Sequence, residues 1–87
     1  MTIKYHKDFK KHFTKRIKPY PKLVKKFEQR LQLLLKDPDN EQLRVHTLTG
    51  EMSTYSAFSV NGDIRVIFRI VNKEYWLYDI GSYNQVY

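Results

Sequence analysis

Apolar residues recur along this chain with two spacings, first every three or four residues and later every second residue. Phe9, Phe13 and Ile17 stand at positions i, i+4 and i+8 among Lys and Arg residues, which indicates an amphipathic helix. The prolines of "KPYPK" interrupt this pattern, and Pro21 suits the first turn of a second helix. The apolar stripe of that helix is wider and consists of Leu23, Val24, Phe27, Leu31, Leu34 and Leu35. "DPDN" ends it, and the β-prone "TIKY" before both helices predicts a first strand.

The second half of the chain has the alternating pattern of strands. "STYSAFSV", "DIRVIFRI" and "EYWLYDI" predict three strands; Asn61-Gly62 is a strong hairpin signal between the first two, and "VNKE" joins the last two. Because each helix must cover an apolar face, we expect an α+β fold with the order β-α-α-β-β-β. It is a small antiparallel β-sheet meander with two N-terminal helices packed on one face, in one domain over residues 1–87. "LRVHTLTG" is expected to be an extended segment or a loop leading into the sheet.

The strand in "NGDIRVIFRI" has two unlike faces. One face is predicted to be core and carries Ile64, Val66, Phe68 and Ile70. The other face is predicted to be open and carries Asp63, Arg65, Ile67 and Arg69. Two arginines on an open face suggest a preformed anion cradle. An equal alternative is that they pair with Asp63 or Asp79 as ordinary cross-strand neighbours.

Charge is distributed unevenly along the chain. The net charge of +7 is the sum of +10 over residues 1–36 and −3 over residues 37–87. A basic half of this kind favours a polyanion or an acidic protein as partner, although a solvated Lys-rich helix surface is the plainer explanation. We favour the polyanion because an extreme isoelectric point is typical of nucleic-acid-binding proteins.

Few groups in the chain are suited to catalysis. There is no cysteine, no cluster of acids with metal-ligand spacing and no Gly-rich phosphate loop, so we expect no metal or cofactor. His6 and His12 are expected to be exposed on the first helix, whereas His46, in the loop before the sheet, can face it. Tyr83 and Tyr87 follow the last strand, where exposed rings near arginines suit base stacking. Without a secretory signal or an apolar run of membrane-spanning length, a cytoplasmic location without membrane contact is expected.

Taken together, these segments resemble the RelE/ParE superfamily of toxins from type II toxin–antitoxin systems, and most closely the YafQ-like branch of RelE. The resemblance covers nearly the whole chain and rests on "HTLTG", "YSAFSVNGDIRVIFRI", "WLYDIG" and "YNQVY" in this order. The family pattern combines H-x-L-x-G, a turn-Asp-x-Arg strand and a terminal I-G-[ST]-H-x-x-[VL]-[YF]. Two positions depart from it: Ser59 stands where the YafQ branch has a catalytic histidine, and Tyr83 where the pattern places another.

The resemblance implies a ribosome-dependent endoribonuclease that cleaves mRNA in the ribosomal A site. It implies a catalytic set in which His46 is an acid–base group, Arg65 contacts the scissile phosphate and Tyr87 stacks or transfers a proton. Asp63 matches the acid that opens the strand, and Tyr83 is a second candidate for the proton transfer of Tyr87. A tyrosine acting as a base would need its pKa lowered by a neighbouring arginine.

The resemblance also implies partners, namely a cognate antitoxin, the 70S ribosome and mRNA. We expect RNA phosphates to be bound by a basic set that consists of Lys10, Lys11, Lys15, Arg16, Lys25, Lys26, Arg44 and Arg69. Two competing hypotheses remain at this point. One is a ParE-like inhibitor of DNA gyrase, and the other is a homologue that has lost catalysis and only binds antitoxin or ribosome.

Overall fold

The computed structural model describes all 87 residues, which form a five-stranded sheet and three helices. Two single 3₁₀ turns, Glu41–Leu43 and Gly50–Met52, flank the second strand. In chain order the elements are β1 (Thr2–Tyr5), α1 (Lys7–Arg16), α2 (Pro21–Lys36), β2 (His46–Thr47), β3 (Ser56–Ser59), β4 (Ile64–Val71), β5 (Glu74–Ser82) and α3 (Tyr83–Val86). The predicted α+β fold with two N-terminal helices is therefore confirmed.

The sheet is mixed rather than wholly antiparallel. Its strand order is β1-β5-β4-β3-β2, and the meander from β2 to β5 is antiparallel as predicted. β1, however, lies parallel to β5, with Thr2 opposite Glu74 and Tyr5 opposite Leu77. A parallel pair needs a long crossover between its strands, and here the crossover includes both helices and the meander. Two segments that are far apart in the sequence, Thr2–Tyr5 and Glu74–Leu77, thus lie side by side.

Both long helices begin and end where the local chemistry requires. The His6 side chain accepts a hydrogen bond from the Asp8 backbone N–H and caps the start of α1. Pro21 occupies the first turn of α2, where its missing N–H has no cost. α2 ends at Lys36 because Pro38 disfavours a helical conformation for Asp37, whose φ and ψ are −147° and 74°.

The core lies between the two long helices and one face of the sheet. The aromatic rings of Phe9, Phe13 and Phe27 contact one another where α1 meets α2, with centroid distances of 5.3 to 5.9 Å. The buried cluster contains Phe9, Ile17, Phe27, Leu31, Leu34, Leu43, Phe58, Val60, Ile64, Val66, Phe68, Tyr75, Leu77 and Ile80. Both predicted helical stripes therefore pack on this core, except that Leu35 of the second stripe is 37% exposed.

One predicted core position in β4 is wrong, and the opposite face is less open than expected. Ile70, which lies one residue from the end of β4, is 57% exposed. On the other face, Ile67 is only 1% exposed and lines a small cavity with Tyr55, Tyr78 and Val86. Aromatic side chains and α3 therefore cover part of the face that was expected to be free.

A β-bulge in β5 explains the pattern on both faces. Ile67 pairs with Asp79 and Phe68 pairs with Leu77, so Tyr78 has no partner across β4. The extra residue allows Leu77 and Ile80, three positions apart, to face the core together. Period-two alternation cannot place two such residues on one face, so the sequence pattern missed the bulge.

Candidate active site

His46 lies in the two-residue strand β2 at the edge of the sheet, so of the two predicted forms of this segment the extended one is correct at His46. Its Nδ1 is 3.1 Å from the carbonyl oxygen of Arg44, and its Nε2 is 3.4 Å from the hydroxyl of Tyr87. Because a carbonyl oxygen only accepts, Nδ1 donates its hydrogen to the backbone carbonyl oxygen of Arg44. In the neutral ring, Nε2 then presents its lone pair towards Tyr87. The backbone thus holds His46 in the form that can accept a proton at Nε2.

Tyr83 and Tyr87 are brought together by α3, an element that the sequence reading missed. Ser82 and Gln85 form a capping box, in which the Ser82 backbone N–H donates to Gln85 Oε1 at 2.7 Å. The two tyrosine rings meet in a T-shaped arrangement with centroids 4.6 Å apart. α3 therefore presents both rings towards the edge of the sheet where His46 lies.

Gly81 makes room for the side chains that hold α3. A Cβ at this position would lie 2.7 Å from Arg16 Nη1 and 2.7 Å from Gln85 Oε1. Both of these atoms are already engaged, since Nη1 donates to the carbonyl oxygen of Ile80 and Oε1 accepts from Ser82. Glycine is required here for close approach.

These elements enclose a groove of about 490 Å³. It runs between β2, the turn after it and α3, and its lining residues are His46, Thr47, Leu48, Thr49, Met52, Tyr83, Val86 and Tyr87. Besides the imidazole, the lining includes the hydroxyl-bearing Thr47, Thr49, Tyr83 and Tyr87 and the apolar Leu48, Met52 and Val86. A ligand bound in this groove would contact the histidine and the aromatic rings at the same time.

Arg65 lies beside the groove on the face of the sheet that α3 partly covers. It pairs across the sheet with Ser59 on one side and Gly81 on the other. Its Nη1 donates to the carbonyl oxygen of Asn61 at 2.8 Å, and no carboxylate forms an ion pair with it. The guanidinium is therefore oriented by the backbone and keeps its charge available.

The environment of Tyr87 keeps its phenol protonated. Burial raises the pKa of the Tyr87 hydroxyl above its ordinary value, the positive charge of Arg65 acts against this, and the neighbouring Tyr83 adds to it. The net direction is upward, contrary to the lowering that a tyrosine base would need. At neutral pH Tyr87 is therefore a proton donor.

Two other sequence candidates do not join this group. Asp63 is exposed in the β3–β4 turn, where its backbone N–H donates to Asn61 Oδ1 at 2.8 Å, and its carboxylate forms no ion pair. Arg69 is four residues from Arg65 in β4, roughly 13 Å along the strand. Its guanidinium packs over the rings of Tyr55 and Tyr78, at 5.3 and 5.5 Å from their centroids. The expected cradle of two arginines is therefore wrong.

The basic set divides into free and engaged side chains. Arg16 does not extend into solvent, because its Nη1 is held by Ile80 and lies 3.4 Å from Asp79 Oδ1. The lysines form no ion pairs; Lys26 is half-buried, and the exposed ones on α1 and α2 are Lys10, Lys11, Lys15 and Lys25. Arg44 is exposed and likewise has no carboxylate partner. The lysines and Arg44 remain candidates for phosphate contacts, whereas Arg16 has a structural role.

His6 and His12 are structural rather than merely exposed. His6 caps α1 and stacks on Tyr78 at a centroid distance of 5.2 Å. His12 Nδ1 lies 2.6 Å from Asp79 Oδ1, and this contact joins α1 to the part of β5 that extends beyond its pairing with β1. The expectation that both are ordinary exposed helix residues is wrong. No group of three or more His, Cys, Asp or Glu side chains is arranged to hold a metal ion.

The comparisons with known proteins concern the family and the fold of this chain. The model of the family described as "Bacterial toxin of type II toxin-antitoxin system, YafQ" matches residues 1–87. No curated protein matches by sequence. A YafQ point mutant from E. coli superposes with a TM-score of 0.83 at 21% identity, covering 98% of this chain and 96% of that one. YafQ in the E. coli DinJ-YafQ toxin–antitoxin complex gives 0.75 at 19% identity, covering 98% and 94%.

A further solved structure has the same fold. A YoeB/ParE toxin from Agrobacterium tumefaciens has a TM-score of 0.81 at 12% identity, covering 95% of this chain and 99% of that one. None of the three helices has the length and apolar character needed to cross a membrane. The family match over the whole chain is the decisive finding, and the structural neighbours agree with it. This chain belongs to the YafQ family of bacterial toxins of type II toxin–antitoxin systems.

Proposed function

We propose that this toxin is a ribosome-dependent endoribonuclease that cleaves mRNA in the ribosomal A site. The observation that supports it best is the 3.4 Å contact between Tyr87 and His46 Nε2 beside the unpaired charge of Arg65. Metal-free cleavage of RNA needs a base for the 2′-hydroxyl, an acid for the departing 5′-oxygen and a cation for the phosphorus oxygens. His46 in the edge strand β2, Tyr87 after α3 and Arg65 in the central strand β4 offer these three kinds of group.

His46 is the base in this proposal. The backbone carbonyl oxygen of Arg44 accepts the hydrogen of Nδ1, so Nε2 is the nitrogen that accepts the proton of the 2′-hydroxyl. The 2′-oxygen forms a bond to phosphorus while the bond from phosphorus to the 5′-oxygen breaks. Tyr87, whose pKa is raised, gives its proton to the 5′-oxygen. The products are a 2′,3′-cyclic phosphate and a 5′-hydroxyl.

The direct contact between the two groups also resets them. After one cleavage the imidazole carries an extra proton and the phenol has lost one. A proton that moves from Nε2 to the Tyr87 oxygen restores the starting state without a separate carrier. Arg65 stabilises the charge that develops on the phosphorus oxygens, and Tyr83 supports Tyr87 through their ring contact.

The remaining surface suits the partners of such an enzyme. The five unpaired lysines on α1 and α2 would bind ribosomal RNA phosphates, with an affinity that falls as salt rises. An antitoxin would bind the toxin and block the site, as DinJ is found together with YafQ in the E. coli toxin–antitoxin complex. Both the ribosome and the antitoxin would meet the toxin in the cytoplasm.

The test uses 70S ribosomes programmed with a defined mRNA, and primer extension maps any cut. A cut in the A-site codon that is lost in Arg65→Ala and His46→Ala supports the proposal. Removing one proton-transfer group should slow cleavage by roughly 10² to 10⁴-fold. Tyr20→Phe is the control for single-hydroxyl changes, since the exposed Tyr20 side chain forms no cap hydrogen bond.

Other outcomes would direct attention elsewhere. An intact message with the protein still bound to ribosomes would indicate a homologue that has lost catalysis, which the departures at Ser59 and Tyr83 favour. An intact message without ribosome binding would point to DNA gyrase as the target. Toxicity that survives Arg65→Ala would refute the assignment of the site.

A further inference from the structure

A second, smaller cavity of about 270 Å³ opens at Asn61, whose carbonyl oxygen accepts from Arg65. No hydrophobic residue lines it, and its walls consist of Arg30, Gln42, Arg44, Ser59, Asn61 and Gly62. It lies before the start of β2, where the edge of β3 is uncovered, since β2 pairs only with Ser56 and Ala57. A cavity with these walls suits a small anion and offers no ring on which a base could stack.

Two guanidinium groups enter this cavity from different elements. Arg30 comes from α2, and its Nη1 is oriented by Gln42 Oε1 at 3.1 Å. Arg44 comes from the segment before β2, and no carboxylate oxygen lies within 4.0 Å of either guanidinium. Asp39 and Glu41 line another cavity together with Arg44 and form no ion pair with it. The cavity therefore has two uncompensated positive charges.

The backbone at Arg44 is held in an uncommon conformation. Its φ of 49° and ψ of 42° are in the left-handed region, which a non-glycine residue adopts only where its surroundings enforce it. The Arg44 N–H donates to Glu41, and the Arg44 carbonyl accepts from His46 Nδ1. One strained residue thus lines the cavity and also orients the imidazole of the candidate active site.

Ser59 contributes a buried hydroxyl without a partner. The residue is 5% exposed, it lines the cavity, and its Oγ makes no hydrogen bond within the protein. Buried hydroxyl groups without partners are uncommon, because losing a hydrogen bond on burial costs free energy. A hydroxyl beside two guanidiniums can donate to the oxygen of an anion. This is an observation independent of the two arginines.

We propose that Arg30, Arg44 and Ser59 bind a backbone phosphate of the RNA strand next to the scissile phosphate at Arg65. The inference rests on the proposed function for the identity of the strand. RNA is favoured over an acidic protein segment because the cavity and the candidate active site share a wall: Ser59 pairs with Arg65, and the Asn61 carbonyl accepts from Arg65. A strand whose scissile phosphate lies at Arg65 brings a neighbouring phosphate to this cavity.

The test uses the whole protein and a six-nucleotide 2′-O-methyl RNA, which cannot be cleaved because its 2′-oxygen is blocked. Backbone amide NMR shifts locate the RNA, and fluorescence anisotropy at several salt concentrations measures its affinity. We expect shifts at Ser59, Asn61 and Gly62. Arg30→Gln should weaken binding about tenfold and reduce the slope of log K against log salt by about 0.7, the value for one contact to a single strand.

Two further variants keep the test sharp. Lys22→Gln also removes one positive charge from α2, at an exposed position outside the cavity, and should change affinity by less than twofold. Ser59→Ala removes only the hydroxyl and should weaken binding severalfold, which keeps the proposal testable if Arg30→Gln does not fold. Unchanged RNA affinity and an unchanged salt slope in both cavity variants would overturn the proposal.

The remaining arms distinguish the sources of the anion. Inorganic phosphate alone is titrated in the same way; if it shifts the cavity amides and the RNA does not, the site binds free phosphate and the RNA assignment is wrong. If Arg30→Gln weakens binding of a purified acidic antitoxin but not of RNA, the occupant is a protein carboxylate and the assignment is again wrong. Because the RNA is uncleavable, binding here is measured separately from nuclease activity, so failure of the proposed function would be seen independently.

Discussion

Replacing Tyr87 by Phe removes one oxygen atom from the candidate site and leaves the ring in place. The T-shaped contact with Tyr83, at 4.6 Å between centroids, does not need the hydroxyl and should persist. What disappears is the proton donor 3.4 Å from His46 Nε2. The variant therefore separates proton transfer from stacking.

The expected magnitude follows from that separation. Loss of a general acid costs roughly 10² to 10⁴-fold in rate, which is about 3 to 5 kcal/mol of transition-state stabilisation. The hydrogen bond is long and the side chain is 46% exposed, so the folded state should lose less than about 0.5 kcal/mol. Activity should fall by orders of magnitude while the melting temperature hardly changes.

The assay is single-turnover cleavage on programmed ribosomes, with wild-type toxin and Tyr83→Phe measured beside Tyr87→Phe. The Tyr83 hydroxyl has no hydrogen-bond partner and the ring is 61% exposed, so Tyr83→Phe should retain activity within a few fold. Since the pKa of Tyr87 is raised, wild-type activity should not lose its acid below about pH 10. A Tyr87→Phe protein that cleaves within threefold of wild type would refute the assignment of Tyr87 as the acid.

Three further predictions concern the scaffold of the site. Gly81→Ala places a Cβ 2.7 Å from Arg16 Nη1 and Gln85 Oε1, so it should destabilise the protein by about 1 to 3 kcal/mol and reduce cleavage; equal melting temperatures would contradict this. Asp79→Asn removes the charged acceptor of His12 and Arg16 and should lower the free energy of unfolding by about 2 kcal/mol, measured by urea unfolding. A loss below about 0.5 kcal/mol would show that Asp79 does not hold α1 on the sheet. Tyr75 has a pKa raised by burial and, less, by a nearby carboxylate, so the protonated form is favoured on folding. The stability that this pKa difference contributes is complete below about pH 10 and is lost as pH rises through the raised pKa of the folded protein. Tyr75→Phe should therefore reduce the loss of stability at alkaline pH, and an unchanged dependence of stability on pH would show that Tyr75 does not contribute to it.

The helices and the hairpins could be predicted because local spacing determines them. The stripes that contain Phe9 and Phe27 repeat over several turns, and Asn61 does mark a hairpin. Its mechanism differs from a simple Asn-Gly turn, since the Asn61 side chain accepts from the Asp63 and Ile64 backbone N–H groups. The left-handed backbone conformation occurs instead in the turn between β4 and β5, at Asn72 and Lys73.

What the sequence did not reveal depends on contacts between distant segments. The role of Arg69 was misjudged because its partners, Tyr55 and Tyr78, come from other parts of the chain. α3 was missed although "SYNQ" is a recognisable capping box, because four residues carry no periodicity. His46, Arg65 and Tyr87 were selected through the family resemblance, and only the folded chain shows the hydrogen bonds that define their forms.

The parallel pairing of β1 with β5 has a consequence for the time at which the toxin becomes competent. Strand pairs that join distant segments form late in folding, because the intervening chain must be in place first. Until β5 has joined β4, β1 has no partner and α1 lacks the carboxylate that His12 contacts. The groove between β2 and α3 is therefore completed only after β5 is in place.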